Sequence, residues 1–190
     1  MSPHQSDSED IRTRIPLDIY KVHPEVKDPV YSTKWAACFD IHAWLHPGNE
    51  VMLFSPDNEK VLRTIPDSRT LEIPGGWRAL VPTGLIFVIP WGYSVRVHAR
   101  SGNAIKYGII LANSEGVVDC DYVEEALQPI INTSSVPFWV KDGDRMCQAE
   151  LLEDIVADIR ITQHRPVKRA NRNGGFGSTG GFGPQEENPS

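Results

Sequence analysis

Nowhere in the 190 residues does an apolar run approach the roughly 18 residues that a membrane-spanning helix requires. The opening stretch, Met1 to Asp10, has no apolar segment behind a basic start, so a secretory signal is not expected there. Cysteine is scarce. Cys38, Cys120 and Cys147 are an odd number at wide spacings, without a C-x-x-C pair. That argues against a disulfide framework and a structural zinc site, and for three reduced thiols packed as small apolar residues. Net positive charge is missing as well: 19 Lys and Arg against 25 Asp and Glu leave −6. A surface of that sign does not reward a phosphate backbone, so direct nucleic-acid binding is not expected. A small phosphorylated ligand stays open, because it needs only a few local donors. The sum of these absences is a soluble, cytoplasmic protein with no membrane partner.

Helical periodicity is also sparse, and strand patterning takes its place. Leu80–Pro90 is a β-branched run bounded by prolines, and Tyr93–Ala99 alternates polar and apolar residues. Gly108–Ala112, Gly116–Asp119, the residues around Ile130 and Ile131, and Val136–Val140 continue the series, punctuated by Gly, Pro, Asn and Asp. The pattern predicts an all-β fold, a jelly roll or barrel. Only Asp144 to Ile159 invites a helix, through Met146, Ala149, Leu152 and Ile155 at spacing three; the same residues also read as strand. Residues 1–12 are polar and expected to be flexible, 13–165 form the folded domain, and 166–190 form a flexible C-terminal arm rich in Arg, Asn, Gly and Ser. His42 and His46 are four apart, a metal-binding spacing only on a helix, and are taken as non-ligands in a strand region.

Several short segments carry polar chemistry. Arg100-Ser101-Gly102 sets a cation, a hydroxyl and a permissive backbone side by side, suited to phosphate oxygens. Asn113 to Tyr122 reads as a hairpin around Ser-Glu-Gly, offering backbone groups and the Asn113 amide to a planar base edge and ending in Asp119 and Tyr122. Gly143–Gln148 is a tight turn entering a strand. Gly174–Gly180 combines glycines with Ser178 and Thr179 around Phe176, a composition that can cradle phosphates through N–H groups.

Taken in order, these segments resemble the five motifs of the trimeric dUTPase family. Ala37–Ala43 is similar to the first, Arg100–Ala104 to the second, Gly116–Tyr122 to the third, Gly143–Gln148 to the fourth and Gly174–Gly180 to the fifth. The resemblance implies a jelly-roll-like β-barrel of the dUTPase type and a homotrimer whose three subunits share each active site. It implies hydrolysis of dUTP to dUMP and pyrophosphate, keeping uracil out of DNA and supplying dUMP for thymidylate synthesis. By the same similarity Asp119 is the general base that activates water against the α-phosphorus. Arg100, Ser101, Gly102 and Gln148 grip phosphates. Asn113 and the backbone around Gly116 read uracil, and Tyr122 packs under the deoxyribose. Phe176, with Gly177 and Ser178, closes over the bound nucleotide from the arm. Mg²⁺ is the implied cofactor, with Asp40 holding a water of its shell.

The chain departs from the family pattern in three places. Glu124 stands where the family has Gly, and Asn171 where it has the arm's arginine; Arg172, beside Arg169, is then the candidate γ-phosphate ligand. The polar stretch 50–71 reads as an insertion, either a surface excursion or a loop for a protein partner. Two alternatives share the fold: a regulatory protein with weak or lost catalysis, and a relative of dCTP deaminase. Against the latter, Ser101 is followed by Gly and the third motif has the hydrolase form.

Overall fold

The computed structural model describes residues 12–167. Two compact units divide the chain after Ile155. In the first unit the described residues form, in order, β1 (Asp18–Lys21), β2 (Phe39–His42), β3 (Glu50–Phe54), β4 (Lys60–Thr64), β5 (Thr70–Ile73), β6 (Arg78–Pro82), β7 (Leu85–Val88), β8 (Tyr93–Ala99), the helix α1 (Ser101–Tyr107), β9 (Ile109–Leu111), β10 (Glu115–Val118), β11 (Leu127–Asn132), β12 (Phe138–Lys141) and β13 (Arg145–Glu153). In the second unit, residues 156–167 form neither helix nor strand.

The all-β expectation holds. Every pairing between named strands is antiparallel, in a four-stranded sheet β10-β8-β13-β2, a five-stranded sheet β4-β3-β6-β11-β9, and the pairs β1-β7 and β12-β5. Among the described residues these sheets do not close into a barrel. The core takes alternate side chains from both large sheets, such as Val95 and Val97 on β8 and Ala79 and Val81 on β6. All three cysteines are free thiols; Cys147 is fully buried, and burial pushes it up to about 12 against the pull of Arg100.

One open alternative is decided and two local expectations are corrected. The segment around Met146 is the strand β13, not a helix: a register shift between Arg145 and Cys147 turns both Met146 and Cys147 inward, after which Ala149 resumes the alternation. That irregularity gave Met146 and Ala149 their spacing of three; Leu152 and Ile155, which continue it, are exposed. The helix instead covers Ser101–Tyr107, only seven residues, none of them buried, and so without an apolar stripe to announce it. It stops at Gly108, whose φ of 67° favours glycine and whose N–H is directed to the carbonyls of Asn103 and Ala104.

The third point concerns 50–71, whose strands are part of the sheets rather than a surface excursion. β3 pairs with both β4 and β6, and Val51, Leu53, Ile65 and Leu71 are buried. Its polar character belongs to β4, an edge strand whose residues are mostly exposed. Leu53→Ala is therefore expected to lower unfolding free energy by about 2–5 kcal/mol in a urea titration. Lys60→Ala on the edge strand should stay within about 0.5 kcal/mol. Equal, small effects at both positions would return the segment to the status of an appendage.

Candidate active site

The turn that joins β9 to β10 decides where the first cleft lies. The sequence suggests a hairpin here, but β9 pairs with β11 and β10 with β8, so the chain changes sheets between Ala112 and Ser114. Ser114 makes the corner with a φ of 65°, and the Glu115 N–H donates to the Asn113 carbonyl at 2.7 Å. Where the sheets part, a pocket of about 180 Å³ opens. Asn113, Gly116, Val118 and Tyr122 line one side, with Val97 from β8 and Gln128 from β11 completing it.

Close approach explains the glycine. A Cβ on Gly116 would stand 3.0 Å from Val97 Cβ, tighter than ordinary contact. Beyond β10, the Tyr122 N–H donates to the Asp119 carbonyl and the Tyr122 hydroxyl to the Glu125 carbonyl at 3.2 Å, turning the chain back. Asp119 itself is exposed at this turn. Glu125 is a structural anchor: its Oε1 accepts the N–H groups of Thr83 and Gly84 at 3.0 and 2.6 Å. Glu124 is exposed and does not line the pocket.

A second cleft, of about 470 Å³, lies between α1, β12 and the start of β13. Its charged walls are Arg100, Lys141, Asp144 and Arg145, with Tyr107 and Trp139 at the sides. Behind it sits Asp40 on β2, 5% exposed. Its Oδ1 meets Arg100 Nε at 3.0 Å, while Oδ2 accepts from Ser32 Oγ at 2.6 Å and Arg145 Nη1 at 3.2 Å. Burial pushes the Asp40 carboxyl up, yet the Ser32 hydroxyl and the two guanidiniums outweigh it and hold it below the ordinary carboxylate range. Asn103 Nδ2 donates to the Arg145 carbonyl at 3.0 Å, tying α1 to β13.

Gln148 pairs across with Asp40 on one side and His98 on the other, and its Nε2 donates to the Ala99 carbonyl at 3.5 Å. Ser101 and Gly102 are exposed on the first turn of α1. His42 is half-buried, and burial together with Lys27 holds it below its ordinary pKa; His46 packs against the rings of His23 and Trp44.

Arg100, Ser101, Gly102, Gln148 and Asp40 thus gather at one place, and Asn113, Gly116, Asp119 and Tyr122 at another. The two clefts have no lining residue in common. Arg169, Asn171, Arg172, Phe176, Gly177 and Ser178 lie outside the described residues. Sequence reasoning assigned no role to Ser32, Asn103 or Arg145. Arg145 stands inside the fourth motif, so its position was the available signal; Ser32 offered none. As for a divalent ion, three donors already occupy the Asp40 carboxylate, leaving room to accept from a water of an ion's shell rather than to ligate directly.

The described residues thus offer a cationic cleft on a β scaffold and a separate narrow pocket walled by two amides and apolar side chains. The chain belongs to the dUTPase family, whose model matches residues 65–180. A Rhizobium rhizogenes deoxyuridine 5'-triphosphate nucleotidohydrolase is 37% identical over 153 residues, covering 80% of this chain and 84% of the relative. One from Nautilia profundicola is 34% identical over 165 residues, covering 86% and 98%. A solved dUTPase of Staphylococcus bacteriophage 80alpha, a mutant with dUpNHpp, superposes with a TM-score of 0.66 at 15% identity, covering 87% of this chain and 98% of that one.

The buried carboxylate gives a prediction with a definite sign. Asp40→Asn should cost about 1–3 kcal/mol at neutral pH, by weakening charged hydrogen bonds. A depressed folded pKa stabilises above the ordinary Asp value of 3.8, and that contribution is lost as pH falls through the lower folded value. Urea unfolding of both proteins should therefore show a constant gap above pH about 4 that narrows on further acidification. A gap independent of pH would contradict the anchoring role.

Proposed function

We propose that this dUTPase-family enzyme hydrolyses dUTP to dUMP and pyrophosphate in the cytoplasm as a homotrimer. Each active site would combine the pocket of one subunit, the arginine cleft of a second and the arm of a third. The observation that carries this reading is the division of the motif residues between two clefts. Neither cleft alone offers both a base-sized pocket with Asp119 beside it and a cationic phosphate cradle. Exposed apolar side chains support the association: Ile105, Tyr107 and Trp139 near the cleft, and Val117, Val123 and Leu127 near the pocket.

In this reading uracil enters the first pocket. The Asn113 amide and backbone groups near Gly116 would meet its polar edge, leaving no room for a 5-methyl group. Tyr122 lies under the deoxyribose and excludes a 2′-hydroxyl. Arg100, the hydroxyl of Ser101, the backbone at Gly102 and Gln148 hold the triphosphate oxygens, straightening the chain for in-line attack. Asp119 takes a proton from water as the water oxygen bonds the α-phosphorus, and pyrophosphate departs. Mg²⁺, carried on the triphosphate with Asp40 reaching a water of its shell, would supply neutralising charge for the leaving group. Arg172 meets the γ-phosphate, and Phe176, with Gly177 and Ser178, closes the site against water. A protein partner for residues 50–71 is not part of this reading, because that segment supplies core strands.

The test is pyrophosphate release with Mg²⁺ from dUTP, dCTP, dTTP and UTP. Hydrolysis should be confined to dUTP, and Asp119→Asn should lower kcat about 10²–10⁴-fold. An unchanged rate in the mutant would remove Asp119 as the base. No release from any of the four would favour a binding protein that has kept the fold without the chemistry.

A further inference from the structure

The outer face of the sheet β10-β8-β13-β2 carries side chains that the proposed reaction does not use. On β8, Arg96 and His98 point away from the core residues Val95 and Val97. Glu115 of β10 lies directly across from His98. Glu150 of β13 pairs with Arg96, one diagonal step from His98. Carrying the β2–β13 register one residue beyond Phe39↔Ala149 brings Cys38 across from Glu150. Three strands and the residue just before β2 thus contribute to one row.

The contacts within it are specific. His98 Nε2 is 3.1 Å from Glu150 Oε1, and His98 Nδ1 is 3.6 Å from Glu115 Oε1. The Cys38 sulfur, a His98 ring nitrogen and a Glu150 oxygen all lie within 4.8 Å of one another, on three half-buried residues. Ligands about 2.0 Å from a tetrahedral ion stand roughly 3.3 Å apart, so the imidazole and carboxylate already have that separation. The thiol sulfur lies within 4.8 Å of both.

We propose that Cys38, His98 and Glu150 bind a borderline-soft divalent cation of the Zn²⁺ class, with water in the fourth position. Glu115, 3.6 Å from Nδ1, then has the role of the carboxylate behind a metal-bound histidine: on closing to hydrogen-bond distance it would accept from Nδ1–H, fix the tautomer and turn Nε2 towards the ion. Arg96, 3.7 Å from Glu115 and from Asp154, offsets the carboxylate that does not ligate. A row of surface ion pairs would account for His98 and the two glutamates but gives the thiol no part; a metal gives one to all four. Sulfur in the set selects against Mg²⁺, which prefers six oxygens, so this site is distinct from the nucleotide's cation. On binding, the thiol proton passes to solvent as the metal–sulfur bond forms, with no change of oxidation state. Spacing in the sequence argued against zinc because the ligands come from separate strands and only the sheet register unites them.

Titrating metal-stripped, nucleotide-free full-length protein with Co²⁺ tests this without reference to hydrolysis. One equivalent per chain should give a near-ultraviolet thiolate-to-cobalt band, bleached by Zn²⁺ and unaffected by Mg²⁺. Cys38→Ser, with its fold confirmed by circular dichroism, should abolish the band, and Cys120→Ser should leave it. Glu115→Gln, which removes no ligand, should keep the band and weaken affinity about 10–100-fold. Absence of the band in the unmutated protein, its survival in Cys38→Ser or its loss in Cys120→Ser would overturn the assignment.

Discussion

One buried carboxylate organises the cationic cleft of this molecule. Asp40 receives Ser32, Arg100 and Arg145, so a loop before β2, the end of β8 and the start of β13 are fixed to a single point. Burying a charge is expensive, and the pairing offsets that cost only because the donors surround it. The arrangement also sets the sign of the cleft. Arg100, Arg145 and Lys141 face Asp40 and Asp144, three cations against two carboxylates, so a positive excess remains for an anion despite the chain's overall −6. Arg100 is held at Nε by Asp40 and at Nη1 by the Arg145 carbonyl, 3.4 Å away, two uses of one planar five-donor head.

The second constraint is the corner at residues 112–114. Because consecutive strands leave it for different sheets, the pocket opens between β8 and β11 rather than on a flat sheet face. Glu125 braces the far side by holding the Thr83 and Gly84 amides, and Gly84 has no space for a side chain, since a Cβ there would come within 2.4 Å of Val26. Glu125 carries this structural duty, while its neighbour Glu124 is exposed. Asp119 lies beyond β10 at a solvent-facing turn.

Much of the strand framework was legible because its punctuation is local. Tyr93–Ala99 has the bounds its alternation implied, and Leu80–Pro90 divides only where Thr83-Gly84 interrupts it. What escaped depended on distant partners or on irregularity. A bulge disguised β13, a helix of one exposed face left no stripe, and an edge strand lent 50–71 the look of a loop. Arg100, Gln148 and Asp40 were found through motif order, whereas their meeting point, and Ser32's part in it, came from tertiary structure alone. The hairpin reading failed for a similar reason: two short strands around a turn do not say which sheet each will join.

Everything in the functional account turns on one claim, that the pocket and the arginine cleft complete each other across subunits. Subunit mixing tests it directly: Asp119→Asn and Arg100→Ala proteins, each inactive alone, are unfolded together and refolded as mixed assemblies. If the halves come from different chains, some sites receive both unmutated halves, and dUTP hydrolysis returns to a definite fraction of the unmutated rate. If each chain uses its own pocket and its own cleft, every site carries one lesion and the mixture stays as inactive as its parents.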